Sequence, residues 1–181
     1  MIIGLTGYAQ SGKDTVANIL VEKYGYTRIA FADKIREFLY DMNPMYDSIA
    51  GEPRFVKSAV DRYGWDVAKQ DPHIRRLLQN TGVSARKTFG ENHWVVEAFK
   101  NIDRDKDYVV TDVRFTNEAE WLKDIYNGQL WRIKRPGVEA VNSHVSEHEL
   151  ANYKVDQIFM NSGTLEDLEL LIKTRMLGLL V

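Results

Sequence analysis

Apolar positions come first as a run and then at helical spacing. Ile2, Ile3 and Leu5 lead to Gly7, and beyond Gly12 the residues Val16, Ile19, Leu20 and Tyr24 recur with the period of a helix face. The pattern predicts a buried strand followed by a helix that stops at Gly25. Residues 26–32 (YTRIAFA) read as a second strand, and Asp33 as the cap of a helix whose Ile35, Phe38, Leu39 and Met42 form an apolar stripe ending before Pro44. Residues 43–55, with Asn43, Pro44, Gly51 and Pro53, predict a loop. A short helix follows over 56–63 with Gly64 as its stop, and Asp71-Pro72 opens another, on which Ile74, Leu77, Leu78 and Thr81 share one face. A helix over 93–102 carries Trp94, Val95, Ala98 and Phe99. Strands are predicted at 108–112, 129–133 and 155–160, and Thr164 with Asp167 makes a capping box for a final helix whose Leu165, Leu168, Leu171 and Ile172 face inward. Strands alternating with helices imply an α/β domain built on a parallel sheet.

The turn between the first strand and helix carries the clearest chemistry. Residues 7–15, GYAQSGKDT, contain G-x-x-x-x-G-K in the strand-to-helix context that a phosphate-binding loop requires. There, successive backbone N–H groups from Ser11 onward and the helix N-terminus wrap a polyphosphate, Gly7 and Gly12 let the backbone come close, and Lys13 adds a full positive charge. The bland alternative is a glycine-rich turn with a solvated lysine. Asp14 stands where the motif usually has a Mg²⁺-binding Ser or Thr, so Asp14 is the candidate to face Mg²⁺ while the Thr15 hydroxyl reaches a phosphate.

Further along, Arg75, Gln79 and Gly82 fall on one helix face, Arg76 sits beside it, and Arg86 lies one turn beyond. Such arginines are ordinarily solvated. Behind a phosphate loop they become candidates for gripping a second anionic substrate, because the planar fork binds phosphate oxygens bidentately. Asp112 ends an apolar strand, where phosphate-loop proteins place the acid that holds Mg²⁺ or its waters. Arg114 points the same way; the alternative is an Asp–Arg pair closing a turn. Glu118 falls in the first turn of the next helix, where the dipole favours a carboxylate in any case. Lys134 and Arg135 root an excursion over 134–150 that reads as a short lid carrying cations for a moving phosphoryl group. Within it, residues 144–148 match the zinc-peptidase pattern H-x-x-E-H, but no third ligand is evident and a polar lid segment is the better reading.

Composition removes other classes. A length of 181 residues suits one α/β domain. A net charge of -2 gives no global basic field for nucleic acid, and the absence of cysteine excludes disulfides and cysteine-ligated metal. The N-terminus lacks the pattern of a secretory signal and no apolar run is long enough to span a membrane, so a cytoplasmic protein is expected.

Taken together, GYAQSGKDT, RRLLQNTG (75–82), TDVRFTNEAEW (111–121) and the SE-x-EL of 146–150 resemble the deoxynucleoside monophosphate kinases of tailed bacteriophages, relatives of adenylate kinase. The resemblance runs over almost the whole chain in the same order. It implies a P-loop NTPase three-layer fold with a five-stranded parallel sheet in order 2-3-1-4-5, an acceptor-binding helical region over about 33–104, and transfer of the ATP γ-phosphoryl group to a 2′-deoxynucleoside monophosphate with Mg²⁺, in the host cytoplasm if phage-encoded. By motif, Gly7, Ser11, Gly12, Lys13, Asp14 and Thr15 would hold ATP and metal. Arg75, Arg76, Gln79, Gly82, Arg86 and Trp94 would form the acceptor site, and Asp112, Arg114, Glu118 and Arg135 would complete the metal, monophosphate and lid contacts. Val83 stands where the family often has Thr, which removes one polar contact from the pattern. A phosphate acceptor is already anionic and needs charge compensation rather than a strong base. Two readings stay open beside this one: a small P-loop kinase acting on phosphomevalonate or dephospho-coenzyme A, and a non-catalytic nucleotide-binding regulator. A kinase for a neutral alcohol would more naturally show an acid poised beside the hydroxyl, and Asp33 is the one candidate for that role. A homodimer is also left open.

Overall fold

A computed structural model describes residues 1–139 and 149–179. The chain forms two compact units, one from Met1–Ala30 with Ile102–Val181 and the other from Phe31–Asn101.

The first unit is built on β1 (Ile2–Thr6), β2 (Thr27–Ile29), β5 (Tyr108–Val110), β6 (Gln129–Lys134) and β7 (Gln157–Met160). All pairings are parallel, in the order β2-β5-β1-β6-β7. Counted among these five strands alone, that is the expected 2-3-1-4-5. Every residue of β1 is buried, as a central parallel strand covered on both faces must be. Alternation divides its contacts. Ile3 and Leu5 join Val16, Leu20, Trp131, Phe159 and Ile172 in one apolar cluster, which brings in helices α1 (Lys13–Tyr24) and α7 (Leu165–Leu177). On the opposite face a Cβ at Gly4 would come within 2.7 Å of Leu122 on α6 (Thr116–Tyr126), so glycine is what allows that helix to pack so closely. Leu5 is completely buried. Leu5→Ala is expected to lower unfolding free energy by about 2–5 kcal/mol, read from the denaturant midpoint.

The second unit holds α2 (Phe31–Met42), a hairpin of β3 (Met45–Asp47) and β4 (Pro53–Phe55), α3 (Val56–Ala68), α4 (Pro72–Phe89) and α5 (His93–Phe99). Leu39, Val56, Ala59, Ala68 and Ile74 form one apolar cluster in its core. As predicted, Asp71 caps α4, accepting a hydrogen bond from the His73 backbone N–H at 2.8 Å.

Several elements differ from the sequence reading. The second strand ends at Ile29 because its neighbour β5 offers only three residues to pair with. The chain turns into α2 at Phe31, whose ring is buried and lies 6.2 Å from that of Phe99. Asp33 therefore sits inside the first helical turn, where it pairs with Arg36, and not at the position before the helix. The segment expected as a loop contains the β3–β4 hairpin, closed by the Gly51 N–H on the Ser48 carbonyl at 2.7 Å. Gly64 does break α3, with φ 73° and ψ 163°, but helical turns resume to Ala68. The helix expected over 93–102 ends at Phe99, and the last strand begins at Gln157.

Candidate active site

The turn after β1 has the geometry that its glycines require. Gly7 has φ 138° and Gly12 φ 105°, a region that L side chains rarely adopt. A Cβ at Gly7 would run into the Ile133 carbonyl, and one at Gly12 into the Asn161 side chain. Gln10 is held at φ 63°, the kind of local strain that persists where the surroundings enforce it. Gly12 is the N-cap of α1 and supplies no capping side chain, so the first-turn amides are left for an anion in the way helix N-termini bind phosphate. Ser11 is 1% exposed and its hydroxyl oxygen has no hydrogen-bond partner, a buried polar atom that an incoming phosphate oxygen would satisfy. The Lys13 ammonium donates to the carbonyl oxygens of Gly7 and Tyr8, each at 2.7 Å, and so lies over the loop itself.

Beside this loop is a cavity of about 290 Å³. Thr6, Gly7, Tyr8 and Ser11 line one side, and Arg114, Arg132, Lys134 and Arg135 supply positive charge around it. Among the described residues that line it there is no Asp or Glu. A concave site with four cations and no carboxylate suits a polyanion.

Asp112 is half-buried at the carboxyl end of the β5 segment. Both neighbours are pinned: the Thr111 N–H donates to the Ile29 carbonyl at 3.0 Å and the Val113 N–H to the Leu5 carbonyl at 3.2 Å. Asp112 is thus held at the crevice above the strand ends, where open α/β sheets bind ligands. Asp14 lies exposed in the first turn of α1. Among the described residues no cluster of three or more His, Asp or Glu side chains forms a metal cage. Mg²⁺ needs none, since it binds through one or two carboxylates, waters and substrate phosphates, and Asp14 and Asp112 fit that donor set.

Glu118 has a structural partner set that the sequence left ambiguous. It is 5% exposed, and its Oε2 accepts the backbone N–H groups of Arg114, at 2.7 Å, and Phe115, at 3.0 Å. The carboxylate thereby fixes the turn that carries Arg114. Glu149 performs a similar service next door, accepting the Thr116 N–H at 2.7 Å.

In the second unit, α4 carries Arg75, Arg76 and Gln79 exposed, Arg86 half-buried and Gly82 buried. Arg75, Gln79, Gly82 and Arg86 fall on one helix face by their spacing. Trp94 is 4% exposed and its indole N–H donates to the Gly82 carbonyl at 3.0 Å, so its ring belongs to the core of this unit. The H-x-x-E-H pattern and most of the expected lid, including Ser146, lie outside the described residues.

Three residues of the site escaped the sequence reading. Tyr8 and Arg132 line the cavity. Asn161 follows β7; its amide group donates to the Ser11 carbonyl at 3.0 Å and its backbone N–H to the Lys134 carbonyl at 2.7 Å, tying the phosphate loop to the last two strands. The only sequence signal for Asn161 is a polar residue directly after a terminal strand.

A parallel 2-3-1-4-5 sheet with a phosphate loop after its central strand defines the small P-loop kinases. The chain is similar over 100% of its length to shikimate kinase from Aquifex aeolicus vf5, with a TM-score of 0.50 and 11% identity over 99% of that chain. It also aligns with dephospho-CoA kinase from Campylobacter jejuni at a TM-score of 0.46 and 15% identity, over 98% of this chain and 96% of the other. At such identity the likeness to shikimate kinase shows the fold alone. Residues 58–172 match the deoxynucleotide monophosphate kinase family, and the chain belongs to that family. A protein of Acanthamoeba polyphaga mimivirus named for the same kinase activity is 27% identical, over 92% of this chain and 91% of its own. Membership makes the chain a phosphotransferase that uses ATP and nucleotide substrates. Among the described residues no helix is long and apolar enough to cross a membrane.

Proposed function

We propose that the chain transfers the γ-phosphoryl group of Mg-ATP to a deoxynucleoside 5′-monophosphate, giving the diphosphate and ADP. The observation that carries this reading is the cavity beside the phosphate loop, with Arg114, Arg132, Lys134 and Arg135 around it and no carboxylate among its described lining residues. Bringing two phosphate groups together is opposed by their charge, and catalysis of this kind is mainly positioning and electrostatic stabilisation. In this reading the loop amides, Ser11 and Lys13 hold the donor's phosphates, with Thr15 adding a hydroxyl. Lys134 and Arg135 neutralise charge on the group in transfer, and Arg114, oriented through the Glu118 carboxylate, takes the acceptor's phosphate. Asp112 and Asp14 would hold Mg²⁺ through its waters, and the ion would supply charge neutralisation to the donor phosphates. The exposed arginines of α4, with Gln79, supply the remaining acceptor contacts, and Trp94 supports that helix from within the core.

The test is ADP release from Mg-ATP with each of the four deoxynucleoside monophosphates, the ribonucleotides, phosphomevalonate and dephospho-coenzyme A, against a no-acceptor control. Turnover with one or more deoxynucleotides, and at least about tenfold less with ribonucleotides, is expected. Activity only with a non-nucleotide acceptor would move the arginines to another anion. ATP binding without turnover on any of them would leave a regulator.

A further inference from the structure

Arg132 faces Thr6 in the β1–β6 register, immediately ahead of the phosphate loop. Its neighbours Trp131 and Ile133 go into the apolar cluster, and Arg132 is itself 9% exposed at the wall of the cavity. The Nη2 group donates to the carbonyl oxygen of Leu150 and to that of Tyr153, the latter at 2.9 Å. Two bonds from one nitrogen hold the guanidinium in one pose and leave the N–H groups of Nε and Nη1 without a partner among the described residues. No described carboxylate pairs with it either. The other charged side chains among the described residues around the cavity, Arg114, Lys134 and Arg135, are cations. Burial holds the guanidinium below its ordinary pKa. A desolvated cation with only neutral partners is unfavourable until an anion arrives.

We infer that Arg132 is a phosphate-contacting residue, whose fork closes on the phosphate chain of the bound donor nucleotide while its Nη2 stays on the Leu150 and Tyr153 carbonyls. The inference rests on the reading of this cavity as the donor's phosphate site. An arginine free in solution loses about 2 kcal/mol of rotamer entropy on being fixed. Here the two carbonyls have already fixed it, so the contact forms with a preorganised group.

The experiment is calorimetric titration of the full chain with inorganic tripolyphosphate, which offers a phosphate chain with no base or sugar, and separately with a deoxynucleoside monophosphate. Wild type, R132Q and R132K are compared, with melting temperatures alongside. Tripolyphosphate affinity is expected to fall at least about tenfold in R132Q and to recover partly in R132K, which keeps the charge but not the fork, while monophosphate affinity changes less than about threefold. If R132Q does not fold, R132K decides, with at least about a threefold loss at a melting temperature near that of wild type. Tripolyphosphate affinity within about twofold of wild type in the folded variants would overturn the inference, as would a loss confined to the monophosphate. Because the titration needs no acceptor turnover, an inactive wild type in the acceptor panel would sink the kinase reading without deciding this one.

Discussion

Lys13→Ala is expected to reduce kcat by about 10³-fold or more, the upper end of what removal of one preorganised charge donor produces. That corresponds to about 4 kcal/mol of lost transition-state stabilisation. The argument starts from where the ammonium lies: 2.7 Å from the carbonyl oxygens of both Gly7 and Tyr8, across the mouth of the loop. Those two oxygens occupy it in the manner that phosphate oxygens would. A phosphate oxygen makes a stronger hydrogen bond to the ammonium than a neutral carbonyl does, and the gain grows as charge develops on the transferred group. Alanine leaves two carbonyls on a half-buried loop that water can reach, so the melting temperature should stay within a few degrees of wild type. ATP affinity should fall less than kcat, since the loop amides and Ser11 remain. A variant with kcat within about tenfold of wild type would mean that the charge on the moving phosphoryl group is met elsewhere, with Arg132, Lys134 and Arg135 the groups to test next.

How much of this was legible before the structure depends on how local each signal is. The phosphate loop was readable because its glycines and lysine act at fixed spacing within one turn, and Gly7 and Gly12 do adopt backbone angles suited to glycine. The α4 face was readable because helical period alone puts Arg75, Gln79, Gly82 and Arg86 on one side. The sheet order came with the resemblance, since periodicity finds strands but does not order them. Arg132 was hidden by its setting. Between Trp131 and Ile133 it reads as the polar half of an alternating strand, and only the parallel register with β1 brings it beside the loop. Asn161 is hidden for the same reason, as its partner Ser11 is distant in sequence. Glu118 was ambiguous because a first-turn carboxylate has a dipole role anyway, and its two backbone partners become visible only in three dimensions. The β3–β4 hairpin was missed because Pro53 and Gly51 look like loop residues and the strands leave Met45 and Phe55 exposed, which erases the apolar alternation.

Asp112→Ala is the second large effect, expected to lower kcat by about 10²–10³-fold with little change in stability. The backbone on both sides of Asp112 is held by hydrogen bonds from Thr111 to Ile29 and from Val113 to Leu5, and Val113 is 2% exposed. These ties belong to the main chain and survive removal of the carboxylate, so the crevice keeps its shape while losing one charge. If that charge holds the Mg²⁺ water shell, the variant should need a higher Mg²⁺ concentration for half-maximal rate, while its affinity for a monophosphate in the absence of metal stays near wild type. Asp112→Asn is the sharper comparison, because the amide keeps size and one acceptor oxygen but not the charge; it should fall between alanine and wild type. Asp14→Ala, on the exposed first turn of α1, should shift Mg²⁺ dependence less. An Asp112→Ala enzyme with an unchanged Mg²⁺ requirement and a rate within about tenfold of wild type would remove Asp112 from the metal site and favour the alternative of an Asp–Arg pair that closes a turn.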